Sequence, residues 1–207
     1  MIQKIDHIVY AVEDLHRSIE KFVKATGLEV FEGGKHPDWG THNAIVRIDK
    51  HTYLEFLAKD KSAPAIHTQT WMGLDLLDGD KITRWSLASQ DVESDKQFLR
   101  KYNEELATII IGSRMTKDNQ MLNWLMTAPL PAPEVEAAPF LIDWKKSAHP
   151  TNSLPLDCSI KSFTIEHAES EVLKKLLEKL DCAVDVYTAH TTRMTLVLDT
   201  PKGEFVM

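Results

Sequence analysis

The chain has 207 residues, is 43% hydrophobic and 27% charged, and carries a net charge of −7. This is a globular composition, which excludes a disordered chain, and its acidic balance argues against nucleic acid as a partner, because phosphate binding needs clustered Lys and Arg. Two cysteines, Cys158 and Cys182, make no disulfide framework, and no run approaches the ~18 apolar residues of a membrane helix.

The N-terminus, MIQKIDHIVYAV, reads as a strand over residues 2–12 rather than a secretory signal, so a cytoplasmic protein without a membrane partner is expected. Asp14 can cap a helix carrying Leu15, Ile19, Phe22 and Val23, which Gly27 stops. A short strand at 28–31 precedes a Gly/Pro/His loop at 33–43. Strands at 44–48 and 52–58 follow, joined by a tight turn. The order is β-α-β-β-β.

The same order returns at 81–88, with Asp91 capping a helix through Val92, Phe98, Leu99, Tyr102 and Leu106, and strands at 108–112, 121–127 and 140–144. Ala11-Val-Glu-Asp14 aligns with Ala88-Ser-Gln-Asp91, an offset of 77 residues. It returns again from 159–166, with Ser170 as cap of a Leu-rich helix and strands at 183–187, 193–198 and 204–207. Residues 59–80 read as a polar linker. Residues 129–139, with four prolines, read as an insertion.

A βαβββ unit packs its helix on one sheet face and curves the other around whatever lies opposite. The expected architecture is therefore α+β, with tandem βαβββ modules at 1–60 and 80–145 forming one cup over residues 1–150. A third module at 156–207 must pack on that cup or on a partner subunit, which makes a homodimer one solution.

Three segments, IDHIVYAVEDLHRSIEKF, GGKHPDWGTHNAIVRI and TYLEFLA, resemble the vicinal oxygen chelate superfamily of glyoxalases, bleomycin-resistance proteins and extradiol dioxygenases. The HPDWGTHN loop at 36–43 and the PFLIDW…HP segment at 139–150 are similar to its glyoxalase-like domain family. The resemblance covers about residues 1–150. It implies a barrel cavity that binds a small oxygenated or anionic molecule. It also implies one divalent metal ion (Fe, Mn, Zn, Ni or Co), held by His and Glu from the first and fourth strands of each unit. The activities implied are those of a lyase, isomerase or dioxygenase, the alternative being a metal-free, non-catalytic resistance-type binder.

The positions matching that pattern in unit one are His7 and Glu55, as metal ligands, as a catalytic acid–base pair, or as a structural hydrogen bond. Alternation groups His7 with Ile5 and Val9, and Glu55 with Tyr53 and Leu57. By the offset of 77, Arg84 stands where a second His would, and Asp143 reads as the fourth-strand counterpart of Glu55, facing the cavity as a substrate contact. Arginine has no lone pair for a metal, so the ligand set is incomplete. His42 offers a borrowed third metal ligand or a substrate contact, whereas His36 reads as fixing the loop. Arg84 suits an anionic group or an internal ion pair with Asp143 or Glu55. Trp39 walls a ligand pocket or packs on the loop. His149 reads as a rim or surface residue, and Ser162 stands at the His7 position of unit three. His16, His51, His67, His167 and His190 read as solvated.

Overall fold

The two predicted aspartate caps start the two long helices of the computed structural model, which describes residues 4–63, 70–115 and 121–207. Asp14 accepts from Arg17 N at 3.0 Å at the head of α1 (Leu15–Thr26), and Gly27, at φ 76°, closes it by donating to Val23 O. Asp91 accepts from Ser94 N at 3.1 Å at the head of α2 (Val92–Tyr102). Each cap satisfies one of the orphan N–H groups of a first helical turn.

Around them run β1 (Ile5–Ala11), β2 (Phe31–His36), β3 (Thr41–Arg47) and β4 (Tyr53–Lys59), then β5 (Lys81–Ala88), β6 (Ile109–Met115), β7 (Met121–Thr127) and β8 (Phe140–Asp143). They form one curved sheet in the order β2-β3-β4-β1-β5-β8-β7-β6. Read outward from the antiparallel β1–β5 seam, the halves repeat each other: first strand, fourth, third, second. The first strand pairs in parallel with the fourth in both halves. The period of two then sorts side chains. Ile8, Val12, Leu54, Phe56, Trp85 and Leu87 pack on the convex side, while Val9, Ala11, Leu57, Phe140 and Ile142 pack inside the cup.

One strand differs from the sequence reading. Instead of a strand at 28–31 and a long loop, β2 runs through Gly33 and Gly34, with a register shift between Glu32 and Gly34. Asn43 on β3 lies over Gly33, where a Cβ would come within 2.1 Å of its Oδ1, so the strand passes only because this position is glycine. The loop shrinks to a single turn at Pro37–Trp39, ended by Gly40 at φ 60°.

Two segments read as linker and insertion are instead packed. Trp71, Met72 and Leu74 are buried inside the cup. Met72 N donates to Leu130 O, and Trp85 Nε1 donates to Ala137 O. Residues 70–78 and 129–139 thus brace each other. His67 lies outside the described residues.

The third unit has β9 (Ser159–His167), α3 (Ser170–Lys179), β10 (Asp185–Thr188), β11 (Arg193–Thr200) and β12 (Gly203–Val206). It repeats the element order of the first two units but not their sheet order, which is β10-β9-β11-β12. Its first strand lies between the second and third instead of beside the fourth. It is therefore not another half-cup, and Ser162 has no His7-like place. This sheet packs on the convex side of the large one: Phe163 meets Trp85 edge-on at 5.4 Å, and Phe205 meets Phe22 at 5.4 Å. Ser170 does not cap α3. Glu169 stands at that position, and Ser170 Oγ bonds Thr188 Oγ1 at 2.7 Å. Among the described residues, no helix is long and apolar enough to cross a membrane.

Candidate functional site

Register on the first half of the sheet brings His7 and Glu55 to the same face. β1 and β4 run parallel, with His7 opposite Tyr53 and Val9 opposite Glu55. His7 Nε2 lies 3.8 Å from Glu55 Oε2, and both side chains are buried. The imidazole stacks on Tyr53, with centroids 4.7 Å apart, and meets Phe140 edge-on at 5.2 Å. Asn43 Nδ2 donates to Glu55 Oε1 and fixes that carboxylate.

Asp6 orients the imidazole. In a regular strand, Asp6 would point away from His7. Here the β1–β5 register shifts between Ile5 and His7, and such a bulge re-aims the side chains beside it. Asp6 Oδ1 then accepts from His7 Nδ1 at 2.7 Å. Asp6 Oδ2 accepts from Trp144 Nε1 at 3.0 Å and from His149 Nε2 at 3.1 Å. His149 Nδ1 is held by Thr151, whose N–H donates to it at 3.3 Å. Asp6 is only 1% exposed. Burial pushes its carboxyl up, but the hydrogen bonds from His149 and His7 outweigh this and leave it below the ordinary aspartate value. With Nδ1 bound to a carboxylate, Nε2 is the nitrogen left to act on the Glu55 side.

His7, Glu55, Asn43, Trp71, Trp124 and Trp144 line a cavity of about 40 Å³. That admits a group of a few heavy atoms. Ile142 and Trp144 also wall a second cleft of about 640 Å³, which His149 and Asp143 line as well.

The other residues expected at the site lie elsewhere. Arg84 is on the cup side of β5, opposite Val9, but its Nη atoms donate to the carbonyls of Thr83, Leu130, Pro133 and Glu134. It anchors the 129–139 loop and does not line the cavity. Asp143 turns outward and bonds Lys145 through N–H and Nζ, at 2.6 and 2.8 Å. The sheet register also corrects its assignment: Val9 pairs with Glu55 as Ser86 pairs with Phe140, so Phe140 is the counterpart of Glu55. His42 alternates to the face opposite Asn43 and Ile45, among His16, Glu32, Lys35 and Asp60. Burial pushes its imidazole below the ordinary value, against the pull of Asp60. Trp39 lies flat against Trp71, with centroids 4.5 Å apart and planes 1° apart, behind the wall and not on it. His36, by contrast, does line the cavity and bonds Thr41 Oγ1 at 3.0 Å.

This donor set does not fit the metal site that the family resemblance implies. In the second half of the sheet, Arg84 and Phe140 stand at the ligand positions, and neither can coordinate. His42, the borrowed third ligand, is on the wrong face. The Asp6 oxygens already accept from three donors. Among the described residues, no three His, Cys, Asp or Glu side chains are grouped to hold a metal ion.

Residues 5–180 match the glyoxalase-like domain family. The chain belongs to that family. The fold of this glyoxalase-like protein is also that of a hypothetical protein from Staphylococcus aureus, with 19% identity and a TM-score of 0.64, covering 100% of this chain and 85% of that one. The third unit is thus part of a shared fold. Weaker likenesses are to a Streptomyces coelicolor methylmalonyl-CoA epimerase in complex with 2-nitronate-propionyl-CoA (17% identity, 72% of this chain, 100% of that one, TM-score 0.47) and to methylmalonyl-CoA epimerase from Mycobacterium tuberculosis (18%, 70%, 88%, TM-score 0.43). No curated protein matches the chain.

Asp6, Asn43, Trp71 and Trp144 escaped the sequence reading. Asp6 hid behind strand alternation. The other three gave no periodic signal that separates a cavity wall from a core.

Proposed function

We propose that this glyoxalase-like protein is a proton-transfer enzyme, an isomerase of a small carbonyl compound. His7 Nε2 removes a proton from the carbon next to the carbonyl. The C–H electron pair moves into the C–C bond and the carbonyl π pair onto oxygen, giving an enolate. His7, whose proton exchanges with solvent while the enolate lasts, then delivers a proton to a different carbon of the conjugated enolate, so the substrate is isomerised and no oxidant, reductant or co-reactant is needed. Glu55 faces Nε2 and stabilises the imidazolium that forms between it and Asp6. The observation that carries this reading is the Asp6–His7–Glu55 arrangement: Nδ1 on one carboxylate at 2.7 Å and Nε2 toward the other at 3.8 Å. Nε2 thus faces a carboxylate that stabilises it once it has taken a proton from substrate.

A second reading, a non-catalytic binder, draws on the three indoles of the wall, Trp71, Trp124 and Trp144, which suit ligand stacking.

One experiment separates the two readings. The protein is incubated in D₂O with a panel of small aldehydes, ketones and thioesters, and loss of the C–H signal is followed by proton NMR. Enzyme-dependent exchange is expected for at least one compound, falling about 100-fold or more in His7→Gln. Exchange at the buffer rate throughout the panel would overturn the enzyme reading in favour of the binder, and protein-dependent exchange undiminished in His7→Gln would overturn the role assigned to His7.

A further inference from the structure

Proton abstraction beside a carbonyl places negative charge on oxygen, and that charge needs a donor. In this cavity the need is acute, because Glu55 and Asp6 are both acidic and both buried. The cation that the second half of the sheet supplies, Arg84, spends its Nη donors on the carbonyl of Thr83 and on three carbonyls of the 129–139 loop. Two other donors on the wall are engaged as well: Asn43 Nδ2 with Glu55, and Trp144 Nε1 with Asp6.

Trp71 is different. It lines the cavity with His7 and Glu55 and is 5% exposed, yet its Nε1–H has no hydrogen-bond partner among the described residues. A buried N–H without an acceptor is rare in native structures and calls for an explanation such as a ligand. The ring is also held in place, flat against Trp39 at 4.5 Å and edge-on to His36 at 5.9 Å. A fixed donor beside a proton-transfer pair is preorganised for an oxygen that gains charge during the reaction. Asn43 Oδ1 is a second buried polar atom on this wall without a partner, which also fits a polar occupant.

We propose that Trp71 Nε1–H donates to the substrate oxygen and stabilises the enolate, the task a metal ion would perform at a complete ligand set. This rests on the proton-transfer reading above. An indole N–H is not acidic enough to protonate the enolate oxygen, so charge stays on oxygen and reprotonation occurs on carbon.

The test is Trp71→Phe in the full chain, which keeps an aromatic ring against Trp39 and removes only the N–H side of the indole. An unchanged thermal midpoint and near-UV circular dichroism establish that the fold is kept; if they change, Trp71→His, which restores a ring N–H, is used for rescue. For the compound exchanged by the wild type, the turnover rate is expected to fall about 100-fold with KM within about threefold. A rate within twofold of wild type overturns the assignment and leaves the His7 reading intact. A second arm needs no activity. The Trp71 indole N–H resonance, assigned by its loss in Trp71→Phe, is followed while acetohydroxamate is added to the wild type. A downfield shift that saturates supports the donor assignment even if no compound is exchanged. An unmoved resonance under conditions where other cavity resonances shift, or no binding at all, overturns it.

Discussion

Asp6 and His7 are consecutive in the chain and hydrogen-bonded to each other, Oδ1 to Nδ1, at 2.7 Å. A strand without the β1–β5 register shift would hold them on opposite faces. The bulge therefore makes the dyad, and the dyad sets which imidazole nitrogen meets Glu55.

Replacing Asp6 with Asn should consequently cost far more than one hydrogen bond. The amide can donate to Nδ1 and so stabilise the wrong tautomer. Carbonyl C–H exchange is expected to fall by roughly two to four orders of magnitude, as for other carboxylate–imidazole pairs. Deuterium incorporation measured beside Glu55→Gln and the wild type checks it.

The same carboxylate should leave a mark on acid unfolding. Burial pushes the Asp6 carboxyl up, and hydrogen bonds from His149 and His7 bring it below its ordinary value of 3.8. The unfolded chain then binds the proton more readily than the folded one. The stability Asp6 contributes is present above the unfolded value and is lost as pH falls through the folded one. Urea midpoints measured from about pH 5 down to about pH 3 should fall more steeply for the wild type than for Asp6→Asn.

Much of this fold was legible in the chain. Asp14, Gly27 and Asp91 announce helix ends through local chemistry that tertiary packing does not alter, and the repeated Ala–x–x–Asp marks the two halves of the cup. That His7 and Glu55 share a cavity face was legible too, because alternation holds on β4 and on β1 from His7 to Val9, although Ile5, grouped with His7 by alternation, packs instead with the convex-side cluster. What escaped depends on pairing. The place of Phe140 opposite Ser86 follows from strand register, which one residue of slip inverts. The bulge that turns Asp6 toward His7 leaves no local trace. The third unit shows the same limit: element order predicted a half-cup, but strand order is a long-range property and came out differently.

Arg84 is expected to govern stability and not ligand affinity. Its guanidinium serves four backbone carbonyls, and burial pushes it down to about 10, so it remains charged at neutral pH. Arg84→Met keeps the volume but leaves those carbonyls without their donor. A loss of about 3 kcal/mol or more in urea unfolding is expected. A variant as stable as wild type would remove the anchoring role.

The contact between Trp85 and Phe163 should couple the third unit to the cup. The rings meet at 5.4 Å, and Trp85 is completely buried. Phe163→Ala is expected to cost about 3–5 kcal/mol through the cavity it leaves. A double-mutant cycle with Trp85→Leu should give a coupling of about 0.5–1.5 kcal/mol. Additive losses would mean that the two sheets are stabilised independently.

The protonation pattern of His7 tests the central claim most directly. Long-range ¹H–¹⁵N NMR of the labelled protein reports which imidazole nitrogen carries the proton once the ring is neutral. The account predicts Nδ1–H with an unprotonated Nε2, and loss of that preference in Asp6→Asn. A neutral His7 protonated on Nε2 in the wild type would contradict it.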